Sequence, residues 1–267
     1  MTENTAQAPA AARQLTPIQA ISQTLESDAF APKISASLDG TGISPARFKR
    51  AALACLSRPE ASYLVEKCDR GSIFTAVMNA AAAELELHPA LGQAYIVPRG
   101  GQAVLQVGYK GFIALASRAG LAVEADVIYA GDRFSIRKGT NPDVSVEPEL
   151  DPAKRGEWVA VYVITHYASG AKTLTFMTRA EVEAIRNRYS DAYKRGGAGA
   201  KTWNESPEEM AKKTCIRRAS KLWPISVPGG GDDDGGEVIE ADPAPVPAPR
   251  MRDVTPGGGL DRLAASL

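Results

Sequence analysis

The sequence predicts an α+β fold in which antiparallel β-hairpins pack with helices, and three observations carry that reading. Helix starts are written as a hydroxyl residue followed by proline, the strand candidates come in pairs separated by short loops, and the helices gather before and after those pairs. A parallel sheet would instead require single strands alternating with helices.

Taken in chain order, Thr16-Pro17 and Ser44-Pro45 each set an N-cap oxygen ahead of a proline at the first helical position, where its missing N–H costs nothing. Two helices are predicted there. A further helix from Ser72 to Leu87 carries Ile73, Phe74, Val77, Ala80, Ala81 and Leu85, and should stop before Pro89. Ala94 to Val97 and Val104 to Val107 flank Pro98-Arg99-Gly100-Gly101-Gln102, a first hairpin. Ala122 to Tyr129 reads as a strand, and Trp158 to His166 with Lys172 to Met177 form a second hairpin around Tyr167-Ala168-Ser169-Gly170-Ala171. Thr178 with Glu181 fits a capping box, as does Ser206 with Glu209, where Pro207 marks another helix start.

The first 14 residues hold little to bury, and Pro228 to Gly259 is rich in Gly, Asp and Pro, so both are expected to be disordered. That confines the core to residues 15 to 227. Beyond Gly257-Gly258-Gly259, leucines at 260, 263 and 267 predict a short amphipathic helix.

Of 267 residues 44% are apolar, but the longest apolar runs are broken by Gly, Pro or charge, and the opening lacks the apolar region of a secretion signal. A cytoplasmic protein is expected. Cys55, Cys68 and Cys215 are odd in number and show no C-x-x-C spacing, which argues against a disulfide framework. With only His88 and His166 beside them, no zinc site is expected.

The 31 basic and 31 acidic side chains cancel, but they are not evenly spread. From Ser226 onward eight acidic residues face three arginines, a net charge of −5, whereas residues 45 to 225 hold 26 basic against 19 acidic, or +7. A basic body followed by an acidic arm points to a polyanion partner for the body, with an arm able to compete for it.

Enzyme motifs are poorly represented, and no catalytic residue is assigned. Arg195-Gly196-Gly197-Ala198-Gly199-Ala200-Lys201-Thr202 lacks the framing glycines of a P-loop and follows a helix. Gly100, Gly101 and Gly108 do not make a dinucleotide fingerprint, and neither G-x-S-x-G nor H-E-x-x-H occurs.

Binding chemistry is better represented. In Ser206 to Pro224, helical spacing puts Ala211, Cys215, Ala219 and Leu222 on one apolar stripe and Lys213, Arg217 and Lys221 on another. Like charges at i, i+4 destabilise an isolated helix by a few tenths of a kcal/mol per pair, roughly, so an anion over that row would explain it. A solvated face with partners elsewhere explains it too, and Glu208 and Glu209 at the helix start suit the macrodipole. In Gly108-Tyr109-Lys110-Gly111-Phe112, followed by Arg118, the glycines permit close approach, Tyr109 offers a stacking face and Lys110 a phosphate contact; Tyr and Phe can equally be core residues. Arg186, Arg188, Lys194, Arg195 and Lys201 surround a Gly-rich loop with Tyr189, Tyr193 and Trp203, cations interleaved with aromatic faces.

At these residues the sequence resembles the RecT family of phage recombinases. The resemblance rests on Leu85-Glu86-Leu87-His88-Pro89, Leu91 to Pro98, Gly108-Tyr109-Lys110-Gly111, Arg118-Ala119-Gly120, Gly131-Asp132-Arg133-Phe134, Met177-Thr178, Trp203 and Met210 to Arg218, in that order, and spans residues 70 to 227. Glu86 departs from the Leu-Gly-Leu expected before the proline, and the loop after Pro98 is short.

The resemblance implies an ATP-independent protein that binds single-stranded DNA and anneals complementary strands, working as a homo-oligomeric ring or helical filament. It implies no enzyme activity and no cofactor, with a modulatory place for magnesium to which no ligand set can be assigned. The implied partners are single-stranded DNA and the annealed duplex, a phage 5′-to-3′ exonuclease and a host single-strand-binding protein, with no membrane, in the cytoplasm of a bacterial host. Residues 1–40 then read as an N-terminal arm with one helix, 41–227 as one DNA-binding and annealing core, and 228–267 as an acidic tail. The expected DNA-binding residues are Tyr109, Lys110, Arg118, Arg195, Lys201, Lys212, Lys213, Arg217, Arg218 and Lys221. The rival readings are a passive single-strand DNA or RNA coating protein and a nucleotide-dependent enzyme using Lys201-Thr202.

Overall fold

The computed structural model describes residues 15–190, 193–194 and 196–228, without the side chains of 198 and 199. The expected arms before residue 15 and after residue 228, the terminal helix and Arg195 lie outside the described residues. Within them the fold is α+β, built on two adjoining hydrophobic clusters.

The first cluster gathers helices around one hairpin. α1 (Pro17–Leu25), α2 (Ala31–Ser37), α3 (Pro45–Leu56), a 3₁₀ turn (Pro59–Ala61), α4 (Ser62–Lys67) and α5 (Arg70–Ala82) lead into β1 (Ala94–Arg99) and β2 (Gln102–Val107). β1 and β2 pair antiparallel, Arg99 opposite Gln102 across the Gly100-Gly101 turn, as the sequence predicts. α1 opens on a capping box, the Thr16 hydroxyl accepting from the Gln19 amide and the Gln19 side chain from the Thr16 amide. Ile21 and Leu25 of α1, Ile34 of α2 and Phe48 of α3 are buried together with Ile73 and Val77 of α5 and Leu105 of β2. Among the described residues before 41, α1 and α2 both contribute to the core that α3 and α5 share.

α5 ends five residues before the expected Leu87. Glu84 adopts a left-handed φ of 55°, the Leu85 amide donates to the Ala80 carbonyl and the Glu84 amide to that of Ala81, so the helix closes in a Schellman-type turn. The turn delivers Leu85 and Leu87, both fully buried, to the core from a loop.

The second cluster lies under a three-stranded antiparallel sheet ordered β3-β6-β7, from β3 (Ala122–Tyr129), β6 (Trp158–His166) and β7 (Lys172–Thr178). Val127, Val161 and Met177 stand in register on its inner face, against which α8 (Arg179–Tyr189) and α10 (Pro207–Ser220) pack. Between β3 and β6 the chain makes a hairpin not anticipated from the sequence, β4 (Arg133–Arg137) with β5 (Asp143–Glu147), and a single turn, α7 (Pro152–Arg155). α9 (Ala198–Glu205) precedes α10.

One helix joins the clusters. α6 (Tyr109–Arg118) contacts β2 on one side and β3 and α10 on the other, and Phe112, like Ile225 beyond α10, packs against both.

Candidate nucleic-acid interface

The interface begins where β2 runs into α6. Gly108 occupies the N-cap and has no side chain with which to cap the first turn, whose amides form the positive end of the helix dipole. Gly111 lets this turn sit close: a Cβ there would stand 2.1 Å from the Gln93 carbonyl oxygen and 2.8 Å from Val107. Gly92, at φ +62°, is approached by the Tyr95 hydroxyl and by the aliphatic stem of Lys110. The Lys110 ammonium stays exposed, 6.0 Å from the centre of the half-buried Tyr109 ring.

α10 supplies the second part. Ala211, Cys215 and Ala219 face the sheet as the spacing predicts, the Cys215 sulfur lying 3.7 Å from the Thr175 carbonyl oxygen. Burial pushes its thiol up to about 12. Leu222 departs from the expected stripe and is 71% exposed. The helix has ended at Ser220, and Trp223 turns inward instead, its indole N–H donating to the Thr165 hydroxyl at 3.0 Å. The capping box expected at Ser206 does not form: its side chain caps nothing, and Glu209 pairs with Lys212.

The expected basic row on α10 is also divided. Lys213 is 8% exposed, on the flank shared with buried Ile216 and Ser220, whereas Arg217 is half-buried and Lys221 exposed. A continuous solvent-facing ridge of all three is therefore not present. The helix periodicity sets the angle of Lys213 but not what covers it.

Lys212 projects toward α6 and β3. Burial opposes its charge, but the hydrogen bond and charge of Glu209, with Asp126 and Tyr109 behind them, outweigh that and raise its pKa. Tyr129 stands in the same field, its phenol raised by burial and by Glu208. Tyr109 and Lys212 thus share one electrostatic field where α6, β3 and α10 adjoin, while the stem of Lys110 lies against Gly92 beside the same helix start. Arg218 leaves the opposite flank of α10, 3.6 Å from Glu181 of α8.

Other expected contacts are placed elsewhere. Arg118 lies at the far end of α6, eight residues from Lys110 and so about 12 Å along the axis. Its guanidinium donates to the carbonyls of Ala83 and Glu84 and pairs with the Glu84 carboxylate, closing the end of α5. Lys201 is on α9 in an exposed i, i+4 pair with Glu205, worth little in water. In the aromatic loop, Arg186 lies 4.2 Å from the centre of the Tyr193 ring and 5.7 Å from that of Trp203, Arg188 stacks on Tyr189, and the Lys194 ammonium donates to the Arg188 carbonyl. These rings and cations are engaged with one another.

Gly131 and Asp132 belong to a buried clasp between β3 and α7. The carboxylate of Asp132 has 0% of its surface exposed and accepts from the amides of Tyr129 and Glu149 and from Arg155, whose guanidinium lies 4.0 Å from the centre of the Tyr129 ring. Burial raises its pKa, but these hydrogen bonds outweigh it and hold the carboxyl below its usual range. Gly131 belongs to the same clasp, since a Cβ there would stand 2.4 Å from the Lys154 carbonyl oxygen. The hairpin tip adds Lys138, whose ammonium lies 5.6 Å from the centre of the Phe176 ring; the alternation Arg133-Phe134-Ser135-Ile136-Arg137 was the signal for that hairpin.

Among the described residues no group of His, Cys, Asp and Glu is arranged to hold a metal ion, all three cysteines are buried and unpaired in disulfides, and no helix is long and apolar enough to cross a membrane. The RecT family model matches residues 46–247. The chain is 32% identical over 170 residues to Protein RecT of Escherichia coli (strain K12), covering 60% of each, and 30% identical over 174 residues to the uncharacterized protein YqaK of Bacillus subtilis (strain 168), covering 64% of this chain and 57% of that one. The matched part thus spans about three fifths of the length of these relatives.

Proposed function

From the premise that this chain belongs to the RecT family, we propose that it binds single-stranded DNA and anneals complementary strands without nucleotide hydrolysis. The observation that carries the reading is that the family match covers α6 and α10 whole, two elements that pack together and bring Tyr109 into the field of Lys212. Lys110 and Lys212 with Tyr109 hold the strand there, and Arg217 and Lys221 on the outward part of α10 extend the track. Arg218, Lys201 and Arg195 complete the proposed contacts, with Lys213 and Arg118 acting by positioning, Lys213 from its buried place in α10 and Arg118 through its clamp on α5.

Annealing follows from geometry when phosphates are gripped and base edges are left outward. A second strand can then sample register, and duplex stacking drives pairing with no nucleotide needed. Binding is sequence-independent. If each subunit neutralises roughly four phosphates, log affinity falls with log salt at a slope of about −3. The wider proposal includes a homo-oligomeric ring or filament in the cytoplasm of a bacterial host, a phage 5′-to-3′ exonuclease that makes the strand, a host single-strand-binding protein that is displaced, no obligatory cofactor, and magnesium as a modulator.

The test is a fluorescence assay of two complementary oligonucleotides, with and without ATP. Pairing should accelerate equally in both. Slowed pairing would make the protein a passive coat for DNA or RNA, and acceleration only with ATP, with hydrolysis, would favour an enzyme using Lys201-Thr202.

A further inference from the structure

We propose that the acidic stretch beyond the described core, Asp232 to Asp242, is a tethered competitor of the single strand for the α10 part of the track. The inference rests on the DNA-binding reading above and names the regulation of the same site. Residues 229–249 contain Asp232, Asp233, Asp234, Glu237, Glu240 and Asp242 and not one lysine or arginine, whereas residues 45 to 225 carry +7. Three consecutive carboxylates present a line of single negative charges, the feature for which a sequence-independent phosphate track selects.

The fold fixes where this line starts. Beyond α10 the chain is tied down by Trp223 on Thr165, and by Ile225 and Val227, which pack against the first cluster. The described chain stops at Pro228, seven residues past exposed Lys221. Asp232 is four residues further on, within at most about 14 Å of that anchor, and Asp242 within about 50 Å. The first carboxylate is thus only eleven residues, at most about 40 Å of chain, from Lys221 at the end of α10 that also carries Arg217 and Arg218. A tether this short holds the carboxylates at an effective concentration on the order of millimolar, enough to compete without high intrinsic affinity.

The competitor acts in one direction. At low salt it occupies the cations and opposes loose, short or mismatched strands, which make few phosphate contacts. A longer strand across several subunits displaces it. Salt weakens competitor and strand together, so the intact protein has a shallower salt response than one lacking the acidic charges.

Three forms test this: the full chain, a chain ending after Pro228, and a full-length variant carrying D232N, D233N, D234N, E237Q, E240Q and D242N. Affinity for an oligo-dT is read by fluorescence anisotropy from about 50 mM to about 500 mM salt. The truncated and neutralised forms should bind about five- to tenfold tighter at the low end, with a steeper slope, and converge with the full chain at the high end. Zero-length carbodiimide cross-linking of the full chain should join tail carboxylates to Lys221 or another lysine of the track, and oligo-dT should suppress those links. Equal, tight binding by all three forms, or links that DNA leaves unchanged, overturns the competitor. Failure of every form to bind would bring down the DNA-binding reading itself, and the competitor with it.

Discussion

Removing the carboxylate of Asp132 takes the acceptor from two backbone amides and from Arg155 at once. Asp132→Ala should cost about 1–3 kcal/mol, the range for leaving buried donors without their acceptor, read as a shift in urea midpoint. Its folded pKa lies below the unfolded value of about 3.9, so its stabilisation is complete above that value and fades as the pH falls through the lower folded pKa. Asp132→Asn should flatten that acid limb of the stability profile. Two cations on α6 separate strand binding from structure. Lys110→Glu should weaken single-strand affinity at least tenfold with an unchanged circular dichroism spectrum. Arg118→Ala, which deprives the Ala83 and Glu84 carbonyls of their donor, should lower stability by about 1–3 kcal/mol. Anisotropy and urea titration of both variants check the division; a large loss of affinity in folded Arg118→Ala would place that side chain in direct contact with the strand.

Among the elements, α10 is where charge and burial have to be told apart. Arg217→Glu should reduce binding with a smaller loss of stability than at Lys213, because Arg217 is half-buried and not buried. Lys213→Glu should be misfolded or strongly destabilised, because a carboxylate would replace a side chain that is 8% exposed. Thermal melts beside anisotropy separate the outcomes. Most elements were legible in the sequence: the starts at Pro17, Pro45 and Pro207, the capping box of Thr178 with Glu181, and both hairpins follow from local chemistry. The end of α5 was not, because Leu85 and Leu87 are as apolar in a turn as in a helix, and only the left-handed Glu84 distinguishes them. β4 and β5 were missed because five-residue strands with charge at both ends give a weak alternation. The candidate site was legible as residue types, but not as partners. Glu181 for Arg218 and Glu84 for Arg118 are brought near only by the fold.

Over the whole molecule, two hydrophobic clusters share α6 and the segment after α10, so the structure should unfold as a unit. Phe112 packs against both. Phe112→Ala should cost about 2–3 kcal/mol, less than a fully buried phenylalanine, and it should do so without splitting the denaturation curve into two transitions, as followed by tryptophan fluorescence and circular dichroism together. The tryptophans report mainly on one side, since Trp158, Trp203 and Trp223 all belong to the second cluster; coincidence of the two probes is thus a direct check that the first cluster melts with it. The burial of Cys55, Cys68 and Cys215 carries a practical consequence. Every native thiol is buried, so a cysteine placed at exposed Ser117 would be the sole position to take a maleimide dye while the protein is folded. Fluorophores for watching single molecules could then be attached without first stripping the chain of its own thiols.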